Sequence, residues 1–431
     1  MRSMLVVLST LLLSSTPFIH IQAAKVTLED AAMNYEGRFQ SAKVTPEDEA
    51  MKYEGRFDTS AENTYRTDWP CARISFGVDT SPVGGSVDFS WSSERVRLNA
   101  TAWRVDGTIA SSEIFVSPKW RNKKMTSTLA LPEDAVFVTL RKLTQAAPFG
   151  TGISEKLLAA SVWEYHGMEI TGAEVKPPTP RKRVVEYIGA SDTARYCVDG
   201  NPDIDDTAEL YIDGWLYDNC DLATPGLLAD YFDADLWVEA EGGMGLTQNA
   251  NARFPAFEGK HPLPYFWSNQ ALLTDEFSTW DPTNNNHGLL SPDLVLVSLG
   301  GNDYNHQHGN VPSNETFSAA YEEFMLNIFS AYETNPNTRI LSVCGQGSPA
   351  EAAFDPDNNR CSPCPHVEDA LNDFKSNNPE LGERAYLGFV PCDGSVVVGV
   401  DDVGCAGHKN AWGQHKVFDH LKPLVSEIMD W

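Results

Sequence analysis

A change of texture at one proline-rich stretch limits what this chain can fold into. From Tyr53 to about Thr171 the sequence runs as short β-type segments cut by turn residues, at 72–78, 85–91, 96–105, 112–116, 125–131, 135–142 and 159–165. Val87-Asp88-Phe89-Ser90-Trp91 alternates apolar and polar residues, the period of a strand with one buried face. Many short strands at regular spacing predict an all-β sandwich or jelly roll over 53–175. Lys176-Pro177-Pro178-Thr179-Pro180-Arg181-Lys182-Arg183 then reads as a stiff linker. Beyond it, over 184–431, strand-like segments at 184–188, 235–240, 294–299, 339–343 and 385–390 alternate with helix-like ones at 224–232, 314–332, 366–376 and 410–430. That alternation predicts an α/β domain with a mostly parallel sheet, whose chemistry sits beyond the carboxyl ends of the strands.

The start of the chain reads as an export signal. Arg2 precedes an apolar run from Met4 to Leu13, too short to span a bilayer, and the small residues Ala23 and Ala24 follow, which sets a signal peptide at 1–24. A unit then occurs twice, AKVTLEDAAMNYEGRFQS from Ala24 and AKVTPEDEAMKYEGRFDT from Ala42, and residues 25–52 read as a duplicated extension. Eight cysteines fit disulfides in an exported protein, with Cys197–Cys220 and Cys392–Cys405 as candidate pairs. Cys361-Ser362-Pro363-Cys364 is half of a zinc motif with no second half, so disulfides are the better reading and no metal is expected. Asn99-Ala100-Thr101 and Asn314-Glu315-Thr316 are glycosylation sequons. A formal charge of −28 argues against nucleic acid or an anionic membrane as partner and favours neutral substrates.

Four strand ends and loops carry the candidate chemistry. The first strand stops at Gly189-Ala190 and delivers Ser191, with Thr193 to Tyr196 able to begin a helix whose N–H groups would face a developing oxyanion; a plain N-cap serine is the competing reading. The second runs into Glu241-Gly242-Gly243-Met244-Gly245, a glycine turn that lets backbone approach a substrate. The third ends in Gly300-Gly301-Asn302-Asp303, where Asn302 offers a side-chain amide or an Asx turn. Gly404-Cys405-Ala406-Gly407-His408 places a histidine on a loop before the last helix, where it can act as a base near neutral pH.

Serine, glycine, asparagine and histidine in this order resemble the blocks of the SGNH, or GDSL-type, hydrolases. The likeness is closer to the second carbohydrate-esterase family, whose members join a jelly roll to an SGNH domain. Tyr53-Glu54-Gly55-Arg56-Phe57, Leu140-Arg141-Lys142-Leu143-Thr144, Arg183 to Ser191 and Asp303-Tyr304 carry it. The resemblance implies a flavodoxin-like sheet, Ser191 as nucleophile, His408 as general base, and an oxyanion hole from the Ser191 and Gly243 N–H groups and the Asn302 amide. It implies no cofactor. Two residues depart from the pattern: Ala190 and Ala406 stand where the family usually has aspartates. Some members resemble a serine–histidine dyad with a backbone carbonyl holding the histidine; Asp401, Asp402 or Asp303 are the candidate substitutes here. Asp303, Trp267 and Trp412 are candidate substrate contacts, and His306 and His308 candidate cleft residues or exposed loop histidines. The expected protein is a secreted, monomeric acetyl esterase acting on an O-acetylated polysaccharide. A catalytically impaired glycan-binding descendant and a secreted lipid esterase are the alternatives.

Overall fold

The structure is a computed structural model and describes residues 41–118, 123–146, 161–202, 214–250, 261–283, 291–304, 311–345 and 363–431. The signal segment, the first copy of the duplicated unit, His306, His308 and Cys361 lie outside the described residues.

The N-terminal half is built from β1 (Ala42–Val44), β2 (Lys52–Glu54), β3 (Asp58–Ala61), β4 (Thr64–Thr67), β5 (Arg73–Thr80), β6 (Gly85–Ser93), β7 (Arg97–Arg104), β8 (Ile109–Val116), β9 (Lys123–Leu131), β10 (Ala135–Lys142), β11 (Trp163–Thr171) and β12 (Ala173–Lys176). They form two antiparallel sheets, β3-β4-β11-β6-β9 with β1 on β11, and β12-β5-β10-β7-β8 with β2 on β5. The period-two pattern explains their shared core. Val87, Phe89 and Trp91 of β6 meet Ile74, Phe76 and Val78 of β5 and Leu98, Ala100 and Ala102 of β7 in one buried cluster. The second copy of the duplicated unit is part of this structure, since it supplies β1 and β2.

The strand expected at 159–165 is instead β11, which continues to Thr171. His166-Gly167 looks like a stop, but the pairing of β11 with β6 shifts register between Tyr165 and Met168. Gly167 takes a φ of 93° there, and the strand bends and carries on.

The C-terminal half is α/β: β13 (Arg183–Gly189), α1 (Thr224–Tyr231), β14 (Ala234–Ala240), α2 (Leu263–Asn269), β15 (Leu294–Ser298), α3 (Asn314–Ala331), β16 (Arg339–Gly345), α4 (Cys364–Asn377), α5 (Pro379–Gly382), β17 (Ala385–Val390) and α6 (Ala411–Met429). The sheet runs β14-β13-β15-β16-β17 with every neighbouring pair parallel. Both faces are covered, which is why its strands are nearly continuous apolar runs. Ile188, Val295, Val297 and Ile340 pack with Phe317, Phe324 and Phe374 of α3 and α4 on one face. Val185, Tyr187, Leu296 and Leu341 pack with Leu228, Val417 and Leu421 of α1 and α6 on the other. The chain order reverses between β14 and β15 on either side of β13, and such a switch point opens a crevice at the carboxyl edge.

The two halves share a buried polar seam. The Arg56 guanidinium, 1% exposed, enters beside Glu239 of β14 at 3.2 Å and Glu186 of β13 at 3.8 Å, and donates to the Trp267 carbonyl at 2.6 Å. Lys142 is fully buried and donates to the carbonyls of Asp68, Thr144 and Gln145. A Cys71–Cys220 disulfide joins the start of the second antiparallel sheet to the loop before α1. Tyr53 to Phe57 and Leu140 to Thr144, the segments that carry the family likeness in the first half, supply Arg56 and Lys142 to this seam.

Candidate active site

The register of the parallel sheet brings the candidate residues to one edge. Gly189, the last residue of β13, pairs with Ala240 of β14 and with Ser298 of β15. Ser191, Gly243 and Asn302 each follow their strand by a few residues, so all three emerge at the same carboxyl edge. His408 arrives from the far end of the sequence on the loop before α6, and its Nε2 lies 2.8 Å from Ser191 Oγ. That is hydrogen-bond distance between a nucleophile and a base. Asn410 fixes the start of α6 directly after it, its side chain accepting from Trp412 N and Gly413 N.

No helix follows Ser191. Residues 191–199 are successive turns, with Arg195 at φ 78° and Cys197 at φ 64°, both in the left-handed region that ends a helix. The cause is tertiary. Arg195 is fully buried and donates to the Thr193 carbonyl and to Cys71 Sγ, while Cys197 is tied by a disulfide to Cys405. A helix dipole therefore contributes nothing at Ser191, and local N–H groups are the remaining backbone donors.

Two further links stitch the serine loop to the histidine loop. Asp192 Oδ2 accepts from Lys409 Nζ at 2.7 Å, with Lys409 2% exposed and Asp192 29% exposed at their side chains. The Cys197–Cys405 disulfide closes the other side. It replaces both expected pairings, Cys197–Cys220 and Cys392–Cys405, because Cys220 faces Cys71 across the seam. Cys364 pairs with Cys344, which leaves it unavailable to a metal, and among the described residues no cluster of His, Cys, Asp or Glu could hold one. The Tyr196 ring meets the His408 imidazole edge to face at 4.8 Å. Asp192, Lys409 and Tyr196 carry no motif; their only sequence signal is adjacency to Ser191, His408 and the buried turn.

Gly243 lies in a turn at φ 79°, and Asn302 Nδ2 donates to the Met244 carbonyl at 2.7 Å, which ties the second and third strand ends together. The amide carries a second N–H. Asp303 is a correction. It is fully buried and accepts from the N–H groups of Leu246, Thr247 and Gln248 and from the Thr247 hydroxyl, so its carboxylate braces the glycine turn instead of facing solvent. Burial pushes its carboxyl above the usual range against those four donors.

Trp267 is a second correction. It is 1% exposed, packs edge to face on Phe324, and donates from Nε1 to Glu186 Oε1 at 2.8 Å, so it belongs to the core. Trp412 is 70% exposed on the first turn of α6. Asp402 is buried and held by Val398 N and Lys416 Nζ, and Asp401 is exposed. The Asp192 carboxyl is pulled below its ordinary range: burial opposes this, but the Lys409 ammonium and the His408 ring both favour its charged form.

A cleft of about 650 Å³ lies elsewhere. It runs along the outer face of β7 and β10 past Asn99, Trp103 and Arg141 to Asp221 and Asp230. Its arginines are matched by carboxylates, Arg141 by Asp221 at 2.7 Å and Arg181 by Asp230 at 3.2 Å, as in a salt-bridged domain seam. Neither Ser191 nor His408 lines it. The Asn99 amide donates to Asp221 there, which occupies the nitrogen of the first sequon.

No protein-family model matches the sequence. The fold is similar to that of solved family two carbohydrate esterases. The structure of one from Cellvibrio japonicus superposes with a TM-score of 0.65 at 15% identity, over 91% of this chain and 99% of that one. A second from Clostridium thermocellum, in complex with cellohexaose, gives 0.63 at 19% identity over 88% of this chain and 99% of that one. An acetyl xylan esterase from Butyrivibrio proteoclasticus gives 0.63 at 14% identity over 91% and 99%. In sequence the chain is similar to the acetylxylan esterase / glucomannan deacetylase of Cellvibrio japonicus (strain Ueda107), 28% identical over 149 residues, which are 34% of this chain. The match spans 37% of that relative's length.

Proposed function

We propose that this protein is a carboxylic ester hydrolase that removes acetyl groups from an O-acetylated polysaccharide. The observation that carries the reading is the Ser191 Oγ to His408 Nε2 distance of 2.8 Å at the carboxyl edge of a parallel sheet, made by residues far apart in sequence. Ser191 attacks the ester carbonyl as His408 takes its proton. The tetrahedral oxyanion is met by the Ser191 and Gly243 N–H groups and the Asn302 amide. His408 returns the proton to the departing sugar oxygen, and water, deprotonated by the same imidazole, releases acetate from the acyl-serine.

The substrate class follows from the relative, which is an acetylxylan esterase / glucomannan deacetylase, and from the acidic surface, which suits a neutral glycan. The antiparallel half is read as a jelly roll. Export agrees with the three disulfides among the described residues. No helix in the described residues is long and apolar enough to cross a membrane.

The test is acetate release from acetylated xylan and from a chromogenic acetyl ester by the intact protein, Ser191→Ala and His408→Ala. Activity lost in both variants supports the dyad. A folded parent that binds acetylated xylan but releases no acetate overturns hydrolysis in favour of glycan binding. Preference for long acyl chains overturns it in favour of a lipid esterase.

A further inference from the structure

We propose that the cleft on the outer face of β7 and β10 is a second binding site, for a neutral glycan chain, separate from Ser191 and His408. That the occupant is a glycan rests on the proposed polysaccharide reading; that the face binds a ligand rests on its own side chains.

Successive side chains of a strand point to opposite faces. Val138 and Leu140 of β10 and Ala100 and Ala102 of β7 belong to the sandwich core. Phe137, Thr139 and Arg141, with Asn99, Thr101 and Trp103, therefore lie on the other face, and all six line the cleft. The register sets them in rows across the strands. Phe137 pairs with Trp103, and Trp103 with Ile109 of β8. Thr139 pairs with Thr101, and Thr101 with Ser112. Arg141 pairs with Asn99. The face grades from an apolar row through a hydroxyl row to a charged row beside the α/β half.

The apolar row stands where the solvated face of an antiparallel sheet is ordinarily polar. Trp103 and Phe137 are partly exposed, Ile109 is 53% exposed, and Val105 at the rim is 89% exposed. An indole and a phenyl ring on neighbouring strands give the apolar faces of sugar rings a platform. The indole is held in place, its Nε1 donating to Thr139 Oγ1 at 3.1 Å. Two bulges flank it: the pairing of β10 with β7 skips Val136, and that of β7 with β8 skips Ala110. A bulge bends its strand and re-aims side chains, and both of these fall at the pairs that Trp103 makes.

The charged groups set the class of ligand. Four arginines line the cleft, and each is paired with a carboxylate: Arg73 with Glu54 at 2.5 Å, Arg104 with Asp134 at 2.5 Å, Arg141 with Asp221 at 2.7 Å and Arg181 with Asp230 at 3.2 Å. That balance disfavours a phosphate or a uronate, while the paired groups still offer N–H donors and oxygen acceptors to hydroxyls. Thr179 and Arg181 of the linker, with Asp221 and Asp230 of the α/β half, supply the sides. The resulting 650 Å³ falls within the range of about 300–1,000 Å³ usual for small-ligand sites.

The experiment is a glycan titration followed by fluorine NMR of the full chain labelled with fluorotryptophan. The protein is made without N-glycosylation, so that no sugar on Asn99 competes. Trp103→Phe and Trp412→Phe assign the two resonances needed. Unacetylated xylohexaose and mannohexaose are the neutral probes, and a galacturonate oligomer is the acidic one. The Trp103 resonance is expected to move with a neutral probe, whether or not that of Trp412 also moves. Phe137→Ala is expected to weaken this binding about tenfold, the loss of one stacked ring, and to leave kcat and KM on a chromogenic acetyl ester unchanged. An unchanged affinity in Phe137→Ala overturns the platform. A Trp103 resonance that stays still overturns the second site, as does one moved only by the acidic probe. A shift on concentrating the protein without glycan also overturns it, by giving the face to a second copy of the chain. The titration needs no turnover: a Trp103 shift in a protein that releases no acetate supports the cleft and overturns the esterase reading alone, and acetate release with a still Trp103 does the reverse.

Discussion

Cys197 and Cys405 are joined by a disulfide that ties the turn after Ser191 to the loop entering His408, across 208 residues of sequence. The two loops are in such close contact that a Cβ on Gly404 would lie 2.2 Å from the Cys197 carbonyl oxygen. The bond thus holds a 2.8 Å Ser191 Oγ–His408 Nε2 distance that no shared secondary-structure element fixes.

Breaking that bond is expected to cost turnover more than binding. Cys197→Ser with Cys405→Ser should lower kcat by about 10²-fold, the effect of a displacement of about 1 Å at a reacting pair, with KM little changed. It should also lower unfolding free energy by about 2–5 kcal/mol. Steady-state kinetics and urea denaturation measure the two separately, and an unchanged kcat would show that the dyad holds itself.

Arg56 is the only cation bonded to Glu186 and Glu239 among the described contacts, and all three side chains are at most 1% exposed. Burial, with the neighbouring Glu186 carboxylate, drives the Glu239 carboxyl well above its ordinary range despite the arginine. Arg56→Ala strands two carboxyl groups in the core and is expected to destabilise by about 3–5 kcal/mol, with Glu239→Gln in the same chain recovering part of the loss. Thermal melts of the three proteins decide it; a second substitution that lowers stability further would contradict this account.

Strand and helix order was legible because local pattern and tertiary role agree over most of this chain. The run 385–390 is an apolar strand wherever it is placed, and it is β17. The serine and histidine were legible because each ends a recognisable segment. What failed did so where a distant partner decides. Residues 193–196 have nothing against a helix locally, but a buried Arg195 and a disulfided Cys197 need turns. Trp267 and Asp303 read as site residues because aromatics and acids often are. Only the fold reveals that one is sealed against Phe324 and the other is consumed by three backbone N–H groups. The Asp192–Lys409 pair is invisible in sequence, because adjacency to a motif says nothing about which neighbours will meet.

Asp218 sets a pH dependence for the fold. It is fully buried at the seam, where Gln145 N donates to its Oδ2 at 3.1 Å, and burial raises its carboxyl from 3.8 to about 7. A raised carboxyl is protonated in the folded chain while the unfolded chain has ionised. Its contribution to stability is therefore complete below pH 3.8 and lost as pH rises to about 7. Asp218→Asn is expected to flatten the fall in stability across that window, measured by urea denaturation at stepped pH. An identical slope in the variant would place the effect elsewhere.

Trp412 is proposed as a contact for long substrates alone. It stands 70% exposed at the start of α6, on the element that follows His408, with Val398 at 61% and Val400 at 69% exposed on the preceding loop. An exposed indole on the first turn of the helix that follows His408 would give a pyranose face something to stack on, whereas a small chromogenic ester has no sugar ring to reach it. Trp412→Ala is expected to raise KM for acetylated polysaccharide by about tenfold, the equivalent of about 1.4 kcal/mol, with kcat and KM on the small ester unchanged. Equal losses on both substrates would place Trp412 in the support of the His408 loop, since a stacking surface outside the reacting centre should be felt only by the polymer.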